Sequence, residues 1–319
     1  MPAVPAIAPH LIPDAYAARR AGRTWAQIRD EFGRPGVQYQ QVRRSVVAWA
    51  ERNGLAAIHT PRASVASESD LTFGIEIEFR RPRANRRYTM DPQTIADALT
   101  EAGVRTVVEN YNHRTRSHWK LISDGSSDRE LVSPILRGED GLRQVRAAMR
   151  VLRNLGCRVT NSEGMHVHVG ARQFTATAIA NIVEMYYAND TLIYSLVAPS
   201  RHSTYYCQPH TSSERDAIRS QADYGSVYNS GGGDRRYRHV NLDAYSAHGT
   251  VEFRQHQGSL NGTKATAWIR MLLGLVRTAT AASAVGSYDS IEAMLEGFGV
   301  TGSARDYLVR RSNGQMVGA

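Results

Sequence analysis

Two short segments place pairs of chemically active side chains two residues apart: Glu76 and Glu78 in Leu71-Thr-Phe-Gly-Ile-Glu-Ile-Glu-Phe-Arg80, and His166 and His168 in Met165-His-Val-His-Val169. In extended chain alternate residues share a face, so each pair points one way while Ile75, Ile77 and Phe79, or the valines, point the other. Two carboxylates side by side repel unless something positive lies between them, and the candidates are a divalent metal or a cluster of arginines. A third segment, Thr250-Val-Glu-Phe-Arg-Gln-His256, sets Glu252, Arg254 and His256 opposite Val251 and Phe253. Taken as neighbours, the three strands form one concave surface where carboxylates hold cations and arginine holds an anion. Carboxylates with imidazole and arginine suit magnesium or manganese carrying a nucleotide phosphate, because hard cations take oxygen ligands and a guanidinium forks onto phosphate. Zinc fits less well. The histidine pair by itself is also satisfied by hydrogen bonds at a sheet surface, and the same pattern opens metal-dependent hydrolases.

The elements that must carry these residues are of mixed type. The pattern predicts strands over 73–80, 105–108, 119–123, 165–169, 240–242 and 250–256, a strand end at 130–133, and helices over 92–102, 141–155, 175–197 and 265–282. Asn189-Asp190 is a candidate break in the third of these helices, and Asn229-Ser-Gly-Gly-Gly-Asp234 reads as a loop. The class is α+β. Ahead of it, Thr24-Trp-Ala-Gln27 fits a capping box for a short helix stopped by Gly33 to Gly36, and a second helix follows to Asn53, with Val42, Val46 and Trp49 on one face. Residues 1–56 therefore read as a small helical, helix-turn-helix-like module, 57–70 as a linker and 71–319 as the catalytic domain. Residues 14–54 are the place for a nucleic-acid or protein partner, contacted through Arg43, Arg44 and Arg52.

Composition narrows the class. The 319-residue chain is 42% hydrophobic and 22% charged, enough for a sizeable core. Two cysteines, Cys157 and Cys207, exclude a disulfide scaffold or a multi-cysteine zinc site and fit a reducing cytoplasm. The N-terminus lacks the positive start of a secretory signal, so no export is expected. The apolar run 268–285 carries Arg270 and Arg277 and reads as a core helix, not a membrane span. The net charge of +9, with Lys120 and Lys264 as the only lysines among 39 basic residues, allows an anionic partner.

Six motifs in order carry a more specific signal: Phe73-Gly-Ile-Glu-Ile-Glu-Phe79; Trp119 with Asp124-Gly-Ser126 and Glu130-Leu-Val-Ser-Pro134; Gly164-Met-His-Val-His-Val169; Pro199-Ser-Arg201; Asn241-Leu242; and Gly249-Thr-Val-Glu-Phe-Arg254. From about Leu71 to Arg311 the chain resembles the amidoligase family, a branch of the glutamine synthetase and glutamate-cysteine ligase superfamily. The resemblance implies a curved, mainly antiparallel sheet of the glutamine synthetase catalytic type, with helices on its back and the active site on its open face. It also implies ATP-dependent joining of a carboxylate to an amine. By the same resemblance Glu76, Glu78 and Glu130 are metal ligands, His166 or His168 and Glu252 complete the set, Arg254 holds the transferred phosphate, and Arg201 helps bind nucleotide or substrate. Asp124 or Glu130 is the group that removes the amine proton.

The expected reaction is amide formation through an acyl phosphate, with ATP and magnesium or manganese as cofactors and small-molecule or peptide carboxylates and amines as substrates. Arg235, Arg236 and Arg238 beside the glycine run 231–233 are candidates to close over phosphates, and Tyr205, Tyr206 and Cys207 to shape the amine pocket. Two rivals stand beside this reading. One is a nucleic-acid-associated ligase that joins an amino compound to a DNA base; the other is a metal-dependent hydrolase built on His166 and His168.

Overall fold

The alternation at 71–80 is realised as β1 (Thr72–Phe79), whose Phe73, Ile75, Ile77 and Phe79 are all buried. It runs through the middle of an open, mostly antiparallel sheet that also contains β2 (Thr106–Val108), β3 (Trp119–Ile122), β4 (Arg129–Val132), β5 (Leu136–Arg137), β6 (Met165–Gly170), β7 (Val240–Asn241) and β8 (Thr250–Phe253). The strand order is β2-β3-β4-β1-β6-β8-β7, with β5 pairing the start of β1 and only β2 and β3 parallel. This computed structural model describes residues 5–20, 25–37, 39–53, 71–83, 89–123, 125, 127–202, 204–220, 235–282 and 285–314. Thr24, the expected linker 57–70, Asp124 and the glycine run 231–233 lie outside the described residues.

The chain divides into two units, Met1–Ser64 and Val65–Ala319. In the first, α1 (Ile12–Arg20), α2 (Trp25–Phe32) and α3 (Tyr39–Arg52) enclose a core of Ile7, Ile12, Ala15, Ile28, Val42 and Val46, with Tyr16 edge-on to Trp49. The second and third of these helices are the two expected from the sequence; α1 was not assigned there. Gly36, at φ +81°, turns the chain between α2 and α3 in a conformation that other residues rarely adopt.

In the second unit the helices are α4 (Pro92–Glu101), α5 (Gly138–Asn154), α6 (Ala176–Ala188), α7 (Asp190–Tyr194), α8 (Ser212–Ser220), α9 (Asp243–His248), α10 (Gly262–Ala281), α11 (Ile291–Gly297) and α12 (Gly302–Ser312). The break between α6 and α7 falls at Asn189, whose side-chain amide donates to Met185 O and removes the need for a continuous helix. Leu142, Val145 and Met149 of α5, Ile179 and Val183 of α6, and Trp268 and Leu272 of α10 share one core with the apolar residues of β1, β6 and β8. Arg270 of α10 pairs with Glu139 and Arg277 donates to Phe298 O, so this apolar helix is tied into the fold by both arginines. Among the described residues no helix is long and apolar enough to cross a membrane. Cys157 and Cys207 are free and buried.

One expectation fails at the end of β8. The strand stops at Phe253, and the next pairing, Gly164 with Gln257, is offset by one extra residue from the ladder that joins Val167 to Phe253. An extra residue reverses the alternation. His256 therefore leaves the polar face, packs its ring 5.0 Å from that of Trp268 and donates from Nδ1 to Gln257 O.

Three interior histidines make stability depend on acid. Burial pushes His256 and His239 down to about 3 and His210 to about 4, against 6.5 for an ordinary imidazole. The unfolded rings take up protons near 6.5 and the folded ones do not, so stability present above that pH is lost as pH falls toward 4. His168, raised by its carboxylate neighbours, is charged in both states below 6.5 and offsets nothing there; its own contribution is lost only as pH rises above that value. The expected slope between pH 6.5 and about 4 approaches three protons, or about 4 kcal/mol per pH unit. Urea unfolding at a series of pH values checks it; a flat free energy across this window would refute the account.

Candidate active site

The register of the sheet determines which polar side chains meet. Glu76 lies opposite His166 and Val132, Glu78 opposite Glu130, and His168 opposite Glu252, which in turn faces Asn241 of β7. With the apolar residues of these strands committed to the helix side, the carboxylates and imidazoles gather on the other face. His166 Nδ1 is 3.2 Å from Glu76 Oε2 and 3.6 Å from Glu252 Oε1, and His168 Nε2 is 3.3 Å from Glu76 Oε1 and 3.8 Å from Glu252 Oε1. Arg254 Nη1 donates to Glu252 Oε1 at 2.5 Å. Glu252 is only 4% exposed.

Two groups of three ligand atoms, each within 4.8 Å of one another, emerge from this cluster: Glu76, His168 and Glu252, and Glu76, Glu130 and His166. Glu76 belongs to both. Two carboxylates and one imidazole in each group make a mainly hard donor set, which fits magnesium or manganese. Glu78 stands outside both groups; its Oε2 accepts the Gly164 N–H at 2.6 Å and so fixes the chain entering β6.

The charges are mutually dependent. Burial opposes ionisation of Glu76, but the charge of His168 and hydrogen bonds from both imidazoles hold its carboxyl well below the usual range. Burial likewise opposes the charge on Glu252, and Arg254 followed by His168 lowers it. His168 resists burial through Glu252 and Glu76 and is raised. Arg254 is raised by the same two carboxylates against its own burial, and its Nε is a buried donor with no partner among the described residues.

Neighbouring residues that the sequence reading did not assign to the site hold these groups in place. Asn241 Nδ2 donates to Glu252 Oε2 at 2.6 Å, and His168 Nδ1 lies 3.0 Å from Thr250 Oγ1. The contact with Thr250 orients the ring so that Nε2 faces Glu76 and Glu252. Lys120, 5% exposed on β3, donates from Nζ to Asn112 O at 2.7 Å and Arg114 O at 3.1 Å, pinning the loop after β2. Burial lowers its pKa, against the pull of Glu109, Glu76 and Glu130. A row of rings, Tyr111, His113, His248 and His168, connects that loop to the cluster. A cavity of about 380 Å3 opens in the loop, lined by Glu109, Asn110, Tyr111, Asn112, Arg114 and Arg116. The scarcity of lysine was a usable signal for Lys120: in a chain that otherwise relies on arginine, both lysines are buried.

A profile of the family described as putative amidoligase enzyme matches residues 69–276. The chain belongs to this family. No curated protein matches it. The matched span contains every residue of the amidoligase cluster, from Glu76 to Arg254, and leaves α1 to α3 outside.

The remaining arginines singled out from the sequence are placed differently. Arg201 is buried and donates to Gln255 O and Arg254 O, bracing the chain that carries Arg254. Arg238 is paired with Glu214 at 2.6 Å, and Arg236 lies over the Tyr237 ring. Neither Arg236 nor Arg238 shares a hydrogen bond or ion pair with the cluster. Tyr205 and Tyr206 are exposed, packing on each other and on Tyr237, while Cys207 is buried with its thiol pushed up by burial.

Gly164 offers a test of the packing around His166. A Cβ there would stand 2.8 Å from His166 Nε2 and 3.4 Å from Arg201 Nη2. Gly164→Ala should displace the imidazole, weakening manganese binding about tenfold or more, the usual cost of disturbing a ligand's support, while far-UV circular dichroism stays unchanged. Calorimetric titration with manganese measures it, and unaltered affinity would show that the ring has room to move.

Proposed function

We propose that the chain is an ATP-dependent carbon–nitrogen ligase that joins a carboxylate to an amine through an acyl phosphate. The observation that carries this reading is the convergence of Glu76, Glu252, His166 and His168 into one partly buried cluster with Arg254 clamped on Glu252. On this reading the sheet is the curved catalytic sheet of the glutamine synthetase type, and magnesium or manganese is held by Glu76, His168 and Glu252 and by Glu76, Glu130 and His166. A divalent ion in such a place supplies charge neutralisation for phosphate oxygens.

The chemistry needs two steps. An oxygen of the substrate carboxylate attacks the γ-phosphorus of ATP, the bond to the β–γ bridging oxygen breaks, and ADP leaves. The amine nitrogen then attacks the acyl carbon, the C–O bond to phosphate breaks, and a proton leaves the nitrogen. Arg254 serves the first step: one N–H is used by Glu252, and the buried Nε, which has no partner among the described residues, is available to a transferring phosphoryl oxygen. Asn241 and Thr250 keep Glu252 and His168 from turning away. Glu130, buried beside Glu78, or Asp124, takes the proton of the incoming amine. The cavity beside Lys120 is the place for one of the organic substrates, and Arg236, which has no ion pair among the described residues, remains a contact for the nucleotide's outer phosphates.

The test is release of ADP from ATP and magnesium in the presence of pooled carboxylates and amines, followed by mass spectrometry of the product. Formation of an amide that requires both pools supports the proposal. Tight zinc binding without any affinity for ATP would instead select a hydrolase.

A further inference from the structure

The N-terminal unit has a surface that the ligase reading does not use. We infer that it is a docking surface for duplex DNA, with α3 entering the major groove and Arg34, Arg43, Arg44 and Arg52 contacting the phosphate backbones. Residues 1–64 hold nine arginines and four acidic side chains, so five of the nine net positive charges lie in about a fifth of the chain. The four named arginines are exposed, and none has an acidic partner among the described residues. Arg29, by contrast, is already paired with Asp30.

The other side of α3 is fully used. Val42, Val46 and Ala50 are buried in the unit's own core, and the exposed large hydrophobic residues among those described, Val107, Val108, Tyr111, Ile135, Tyr205 and Tyr206, all lie elsewhere. A protein partner docking on this unit would need an apolar anchor that the described surface lacks. A polyanion needs only the cations. The 14-residue α3 is about 21 Å long, and the major groove of B-form DNA admits a helix whereas that of A-form RNA is too narrow. Arg34, in the turn before α3, and Arg52, in its last turn, place charge at both ends of the helix.

Fluorescence polarisation of a labelled DNA duplex of about 25 base pairs with the full chain tests the inference, read across salt from about 50 to about 200 mM. Micromolar binding that falls steeply with salt is expected. R43A/R44A should weaken it about tenfold or more and reduce the slope of log affinity against log salt by about two, whereas R43K/R44K should keep the slope. Both positions are exposed, so thermal melting of the variants should match the parent and exclude misfolding. Absence of binding at about 50 mM salt, an unchanged slope in R43A/R44A, or equal affinity for an RNA duplex of the same length would overturn it. None of these results depends on the ligase activity.

Discussion

Glu76→Gln should abolish divalent-metal binding at both ligand groups and reduce amide formation roughly a thousandfold, the equivalent of about 4 kcal/mol of transition-state stabilisation. Glu76 is the one residue common to the two groups, and its two oxygens face different histidines: Oε2 meets His166 and Oε1 meets His168. A neutral amide at this position keeps the shape but removes the anion that both sites need. Glu130→Gln provides the contrast, because Glu130 belongs to one group only. Manganese titration followed by paramagnetic resonance should count two ions in the parent, one in Glu130→Gln and none in Glu76→Gln. Two ions bound with parental affinity by Glu76→Gln would refute the shared-ligand arrangement.

Arg254→Met has the second largest expected effect, and it acts on stability and turnover together. The substitution leaves Glu252, 4% exposed, without its guanidinium; Asn241 and the two imidazoles are then its remaining partners. Breaking a buried pair by removing one member costs about 3–5 kcal/mol, because the other charge stays desolvated. Turnover should fall about a thousandfold if Arg254 meets the transferring phosphoryl group. Arg254→Lys should recover much of the stability and little of the activity, since an ammonium replaces the charge but not the fork. Urea unfolding and ADP release measured side by side separate the two roles. Parental turnover in Arg254→Met would remove Arg254 from the chemistry, and parental stability would show that the histidines alone neutralise Glu252.

The site was legible where chemistry depends on short-range rhythm. Glu76 with Glu78 and His166 with His168 could be assigned to common faces because a strand alternates every two residues, and the ordered motifs pointed to the amidoligase family that the profile match then established. The same rhythm misplaced His256, because one extra residue after Phe253 is invisible in a pattern of polar and apolar residues. Arg201 was read as a ligand-binding residue from its motif, yet its guanidinium is engaged by two backbone carbonyls. Lys120, Asn241 and Thr250 went unassigned for the opposite reason: their importance lies in what they touch across the sheet, which no local spacing encodes.

The sequence alone thus determined the element types, the polar face of each strand, the family and the chemical character of the donors. The tertiary structure alone decided that Glu76 is shared by two candidate ligand groups, that Glu78 supports the chain entering β6 and belongs to neither, and that Arg254 rather than Arg238 reaches Glu252. The physical reason is that side-chain direction along a strand is a local property of the backbone. Which residue stands opposite which depends on register between segments as far apart in the chain as Phe73 and Val169, and that is chosen by the packing of the whole apolar face.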